Sequence, residues 1–190
     1  MQSRFGYKCR RRGTGSTSFQ SANWKFIWKT NVPPKVRMFA WRACRDSLPT
    51  VANLAKRGVN VGGASPRCGI GNEDVLHCLL CCHFARLVWV ISDLPWAFIS
   101  RNHSDPEVWF RGMSSDLDNP VFARALLLCW FLWGSRNLLL FESLALPAPV
   151  ILEQVQSWEK ALVQRLDNSN SLTPSIIDKG GSHSNPTGIG

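Results

Sequence analysis

Residues 125–135 read Ala-Leu-Leu-Leu-Cys-Trp-Phe-Leu-Trp-Gly-Ser, and this run limits what the chain can fold into more than any other feature. Asn119 as N-cap and Pro120 at the first helical position open a helix that extends to about Phe141. That helix is apolar on nearly every side, so other elements must surround it. Arg124 and Arg136 bracket the run, and no window reaches the roughly 18 uncharged apolar residues of a membrane span. A second helix follows Pro147-Ala148-Pro149, with Ile151, Val155, Trp158, Leu162 and Leu166 as its buried stripe. Glu153, Glu159, Lys160 and Arg165 form its wet face. Residues 119–167 therefore form a helical hairpin connector.

Upstream, helix signals recur in shorter units. The aromatic run Trp24-Lys-Phe-Ile-Trp28 fits either a strand or a helical turn, and Trp24, Trp28 and Trp41 read first as core residues. After Pro33-Pro34, the residues Val36, Phe39, Ala40 and Ala43 share one helical face, and Lys35, Arg42 and Arg45 lie roughly opposite. Thr50 caps a further helix with Val51, Leu54 and Ala55 on its apolar side, and Gly58 ends it in a left-handed turn. Val59-Asn60-Val61 suggests a short strand. The fold class expected is mainly α: a small zinc-knuckle-like helical domain, a connector, and disordered termini. The divisions are a disordered basic arm (1–20), the knuckle-like domain (21–97), a polar connector loop (98–118), the helical connector (119–167) and a disordered tail (168–190).

Charge is distributed unevenly. Residues 1–60 hold 13 Lys/Arg against Asp46 alone, a formal +12, while the rest hold nine basic and twelve acidic residues, −3. A basic front half points to a polyanion partner, RNA or DNA, with Arg10, Arg11, Arg12, Lys35, Arg37, Arg42 and Arg45 as the phosphate-contacting candidates. The N-terminal segment has positive charge but no apolar run behind it, so the expected location is intracellular, nucleus or cytoplasm, with no secretion and no membrane.

Seven cysteines, an odd number with four between positions 68 and 82, make a poor disulfide framework and read better as a metal site. Cys68-Gly69 followed by His77, Cys78, Cys81, Cys82 and His83 supplies thiolates and imidazoles of the kind Zn²⁺ takes in tetrahedral sets of four. A knuckle spaces two cysteines C-x₂-C, but the residue three before Cys68 is Ser65, whose hydroxyl is a poor zinc ligand. His77 and Cys82 lie about 140° apart on a regular α-helix, so one ion can take both only if the chain between them is turned or extended and the helix begins near His83. A single helix over 74–91 would instead pair His77 with Cys81, or Cys78 with Cys82. The bland alternative makes Cys78, Cys81 and Cys82 small buried hydrophobes.

No paired aspartates suited to two-metal chemistry occur. Asp116 and Asp118 sit in the polar stretch, and His103 and His183 lack any nucleophile motif, so no catalytic residue and no enzyme activity is expected.

Taken in order, these pieces resemble the zinc-binding domain of plant LINE-type (non-LTR) retrotransposon reverse transcriptases. The resemblance rests on the Trp24–Trp28 opening, the run Val32-Pro33-Pro34-Lys35 through Phe39, Trp41 and Arg42, and Asp46-Ser-Leu-Pro-Thr50 with Asn53-Leu-Ala-Lys-Arg-Gly58. It continues in Pro66-Arg-Cys68-Gly, Glu73-Asp74, His77-x₄-Cys82 and Ala85-Arg-Leu-Val-Trp89. Downstream, Trp130-x-x-Trp133 with Arg136-Asn137 and Phe141 is similar to the helical connector that precedes ribonuclease H in such polyproteins. The resemblance implies a non-catalytic, nucleic-acid-associated zinc module that contacts other domains of a parent polyprotein. It places the Zn²⁺ ligands at Cys68, His77 and Cys82, with Ser65 at the lost fourth position and Cys78, Cys81 or His83 as substitutes. The alternative is a decayed fragment with at most a protein-interaction role through its helical half.

Overall fold

The structure, a computed structural model, describes residues 24–95 and 105–170, with side chains to 164; the expected basic arm, with Arg10, Arg11 and Arg12, lies outside the described residues, as does the tail beyond 170. All regular structure among the described residues is helical: α1 Lys25–Trp28, α2 Pro34–Cys44, α3 Val51–Lys56, a π-helical segment His77–Cys81, α4 His83–Val90, α5 Pro106–Asp116, α6 Asn119–Glu142 and α7 Ala148–Asn170.

The apolar run sits where its composition requires. Phe122, Ala125, Leu126, Leu127, Leu128, Cys129, Leu132 and Trp133 of α6 are buried, and α2, α5, α7 and the π segment all pack on this helix. By length and composition α6 could cross a membrane, but half of its most apolar window is covered by the other helices, as expected of a core helix. One hydrophobic cluster runs from Ile27 through α2, the π segment, α4 and α5 to Val155 of α7.

Several local expectations need correction. The opening aromatic run is a helical turn in which Ile27 is the buried anchor; Trp24 and Trp41 only lean on the core, and Trp28 is 42% exposed. In α3 the buried face is Val51, Ala52 and Asn53, while Ala55 is exposed. Asn53 is drawn inward because its amide donates to the carbonyls of Asp46 (2.7 Å) and Leu48 (3.0 Å), tying down the loop between α2 and α3. Thr50 does cap α3, accepting from the Asn53 amide at 3.2 Å, and Gly58 adopts φ +79°. Residues 59–61 form no strand; they are exposed, and the Val59 amide donates to the Leu54 carbonyl at 3.0 Å, closing the end of α3.

The polar connector contains a helix, α5. Asp105 accepts from the amides of Glu107 (2.8 Å) and Val108 (3.4 Å), Pro106 takes the first turn, and Trp109, Phe110 and Met113 enter the core. The cap of α6 is Asp118, which accepts from the Val121 amide at 2.9 Å, so Asn119 lies one residue inside. On α7, Ile151 and Val155 are buried and Trp158 and Leu162 half-buried, while the Leu166 and Arg165 side chains lie outside the described residues.

One buried polar group joins the front half to α6. Glu73 is 1% exposed and Arg136 4%. The Arg136 guanidinium donates from Nε to Glu73 Oε1 at 3.1 Å and also from Nη2, a charge-assisted pair with two donors. The same carboxylate accepts from Ser65 Oγ (3.2 Å) and from the Val51 amide (3.4 Å), and the Glu73 carbonyl accepts from Ala52 N (2.9 Å). Breaking one partner of such a pair leaves an uncompensated buried charge, which costs about 3–5 kcal/mol. Glu73→Ala should therefore lower the urea-unfolding free energy by about that amount. Adding Arg136→Leu should recover part of the loss, and strict additivity of the two substitutions would contradict the coupling.

Candidate metal centre

The site is assembled from two pieces of chain. The first is the turn Ser65–Gly69, closed by the Gly69 amide donating to the Ser65 carbonyl at 2.8 Å. Gly69 adopts φ +69°, a conformation that costs a side-chain-bearing residue energy, and it directs the chain back immediately after Cys68. The second piece begins at Asp74, whose carboxylate accepts the His77 amide at 2.7 Å and so starts the turn that carries the imidazole.

From His77 the backbone winds as a π-helix. The Cys82 amide donates to the His77 carbonyl at 2.8 Å, five residues back. This geometry resolves the spacing problem, because an i→i+5 turn brings residues five apart round to one side where an α-helix would leave them about 140° apart. Cys82 then leaves the helical region (φ −56°, ψ +137°) and α4 starts at His83. Of the two alternatives, a turned segment followed by a helix from His83 is the one found; one continuous helix over 74–91 does not form. The wider turn leaves a carbonyl to satisfy, and the fully buried Trp89 indole donates to the Leu79 carbonyl at 2.7 Å. The residue pattern His77-x₄-Cys82 with Trp89 seven residues on thus has a mechanical reason: the tryptophan locks the turn that aligns the two donors.

The ligand atoms of Cys68, His77 and Cys82 all lie within 4.8 Å of one another, and Cys68 Sγ is 3.3 Å from His77 Nε2. Donors around a tetrahedral Zn²⁺ are spaced roughly 3.5–3.8 Å apart, given Zn–S near 2.3 Å and Zn–N near 2.0–2.1 Å. The three donors therefore need only small adjustments to hold one ion, and sulfur with imidazole is the donor chemistry zinc prefers.

Electrostatics act on two of the three donors in opposite senses. Burial holds His77 below its ordinary 6.5, with Asp74 and Glu73 opposing, so the imidazole is neutral and its lone pair available near neutrality. Burial raises the Cys82 thiol, while the Phe84 and Ala85 amides at the start of α4 point to its sulfur and favour the thiolate. Metal binding must release that proton.

The proposed substitutes lie elsewhere. Cys78, Cys81 and His83 fall outside the cluster. Cys78 is buried, and burial first, then the Glu73 carboxylate, pushes its thiol up; His83 is exposed. Ser65 is 3% exposed, with its hydroxyl donating to Glu73 and accepting from the Arg67 amide at 3.3 Å. Two residues of this site had no role in the sequence reading. Trp89 was only a motif match, and Arg67 stacks its guanidinium 3.6 Å over the Phe84 ring and donates to Ser135 Oγ at 3.0 Å.

Of the phosphate-contacting candidates, Lys35 and Arg42 are exposed on α2 and Arg45 is exposed at its C-cap. Lys35 Nζ lies 4.6 Å from the Trp158 ring centroid, Arg45 sits over Trp41, and Arg37 donates to the Trp28 carbonyl at 2.9 Å. Lys35 and Arg42 share one side of α2, while Arg37 lies on another and is half-buried.

A protein-family model described as zinc-binding in reverse transcriptase matches residues 5–89. No curated protein and no solved structure matches the chain. The matched segment ends at Trp89, the residue that locks the π turn, and contains all three clustered donors.

The His77 environment has a consequence for acid stability. The unfolded chain takes up a proton near 6.5 while the folded imidazole resists it, so acid favours unfolding below that pH. Metal-free protein should lose stability as pH falls below 6.5, and His77→Gln should flatten that slope. A wild-type stability that does not change across this window would contradict the stated burial of the ring.

Proposed function

We propose that this chain is a non-catalytic zinc-holding module from a retrotransposon-derived reverse transcriptase polyprotein of the plant LINE type, resting on RNA or DNA through its basic face. The observation that carries the reading is the convergence of Cys68, His77 and Cys82 within 4.8 Å. The family match over residues 5–89 supplies the reverse transcriptase context, and the ordered motifs from Trp24 to Phe141 favour the LINE class and the connector before ribonuclease H. No aspartate pair suited to phosphoryl transfer occurs in the sequence, which favours an accessory role, inside the cell, in the nucleus or cytoplasm.

The nucleic-acid part of the reading rests on charge. Lys29, Lys35, Arg42 and Arg45 are exposed on α2 and the turn before it, in the half of the chain that carries a formal +12. Such a face gives sequence-independent affinity that falls with salt.

A second reading is favoured by one observation. Phe141 is 77% exposed, with Leu140 and Leu144 beside it at 43% and 49%, at the end of α6. An apolar cluster there suits contact with a neighbouring domain, or a decayed fragment acting only through protein interaction.

One titration separates the two. Single-stranded RNA and DNA oligonucleotides, followed by fluorescence anisotropy at several salt concentrations, should bind with an affinity that falls steeply with salt. Arg42→Glu with Arg45→Glu should weaken binding about 10-fold and reduce the salt slope by about 2, one for each lost phosphate contact. Binding that ignores both salt and charge reversal would remove the nucleic-acid role and leave the interaction reading.

A further inference from the structure

The large flat face of an indole is usually covered, by the core or by a neighbouring ring or cation. Every other described tryptophan has an aromatic ring or a cation set against it. Trp28 is 42% exposed, and among the described residues no ring or cation lies against its indole. The turn of α1 sends Ile27 into the core, which carries the next side chain toward solvent. Positive charge accompanies it. Lys29 follows directly and is exposed, and Arg37 of α2 donates to the Trp28 carbonyl at 2.9 Å, fixing the turn in place. The first acidic residue of the chain is Asp46. Trp41 and Arg45 then follow Arg37 at successive turns of one edge of α2, with Arg45 exposed and 5.5 Å from the Trp41 ring centroid. From Trp28 onward, ring and cation therefore alternate, as they do on surfaces that track a single nucleic-acid strand.

We infer that Trp28 is a base-stacking platform for single-stranded RNA or DNA, with Lys29 beside it for a flanking phosphate. This platform rests on the nucleic-acid reading above and narrows it from charge to strandedness. Exposed lysines and arginines attract any polyanion. An uncovered indole among them adds a π-face, and the polyanion that carries flat rings between its charges is a nucleic acid. In a duplex the bases are stacked on one another and paired, whereas an unpaired strand can splay a base out onto an aromatic side chain. The basic residues of α2 thus supply affinity, and Trp28 selects the unpaired strand.

Binding of the full chain to labelled oligo(dT), oligo(U) and a DNA duplex of equal length, read by anisotropy, tests this beside binding to inorganic polyphosphate, a polyanion without bases, read by calorimetry. Wild type should hold the single strands about 10-fold more tightly than the duplex. Trp28→Ala, at an exposed position and checked for folding by circular dichroism, should weaken single-strand binding about 10-fold. It should leave the salt slope and the polyphosphate affinity unchanged, because no cation is removed. Trp28→Phe keeps a ring and should recover most of the loss. A wild type that does not prefer the single strand, or a Trp28→Ala protein that binds it as wild type does, overturns the platform and leaves the charge-based reading standing. An equal loss of polyphosphate affinity in Trp28→Ala also overturns it, since the indole would then act only by supporting the basic residues. Absence of salt-dependent binding to every strand overturns the nucleic-acid reading and the platform together.

Discussion

The Glu73 carboxylate, buried and paired with Arg136, is the interaction on which the rest of the structure depends. Its oxygens hold the guanidinium of the central helix, the hydroxyl of Ser65 and the first amide of α3, three elements far apart in sequence. A charge so placed is costly unless fully compensated, and here each neighbour supplies a donor. The two halves of the site, the turn carrying Cys68 and the π segment carrying His77, flank this residue on either side in sequence. The carboxylate thus sets where the donors start, and the packing of α6 holds it in place.

From that anchor the candidate metal centre follows by local rules. Asp74 starts a turn, the turn widens by one residue, and Trp89 satisfies the carbonyl that the widening leaves. Cys82 ends the turn at the N-terminus of α4, where burial raises its thiol and the Phe84 and Ala85 amides oppose that rise only in part. Burial also raises the thiols of Cys44, Cys78 and Cys129, which lie outside the donor cluster and serve as apolar filling within the core. The cysteines between 68 and 82 therefore divide by backbone geometry, not by proximity in sequence.

Much of this was legible beforehand. The all-round apolarity of 125–133 placed α6 at the centre, and the period of Val36, Phe39, Ala40 and Ala43 placed the core face of α2. Cys68, His77 and Cys82 were the donors that the motif resemblance selected, and they are the ones that converge. What failed were features decided by single polar contacts. Asn53 turned inward to cap loop carbonyls, which no hydrophobic period reports. Asp105 and Asp118 took the cap positions that turn an apparently irregular stretch into α5 and start α6 a residue early. The sequence leaves the turn between His77 and Cys82 as one of two alternatives for a related reason: what decides it is one i→i+5 hydrogen bond and a tryptophan seven residues beyond. Glu73 and Arg136 were each noted in motifs, but their pairing across 63 positions is a tertiary fact.

The central claim is that folding alone brings three donors into one zinc site. Elemental analysis of the purified full chain, dialysed against metal-free buffer after exposure to zinc, tests it most directly. One zinc ion per chain is predicted, with Cys68→Ala, His77→Ala and Cys82→Ala each abolishing it while Cys78→Ala retains it. A wild-type protein that is folded by circular dichroism and carries no zinc, or one whose zinc survives loss of His77, would contradict it.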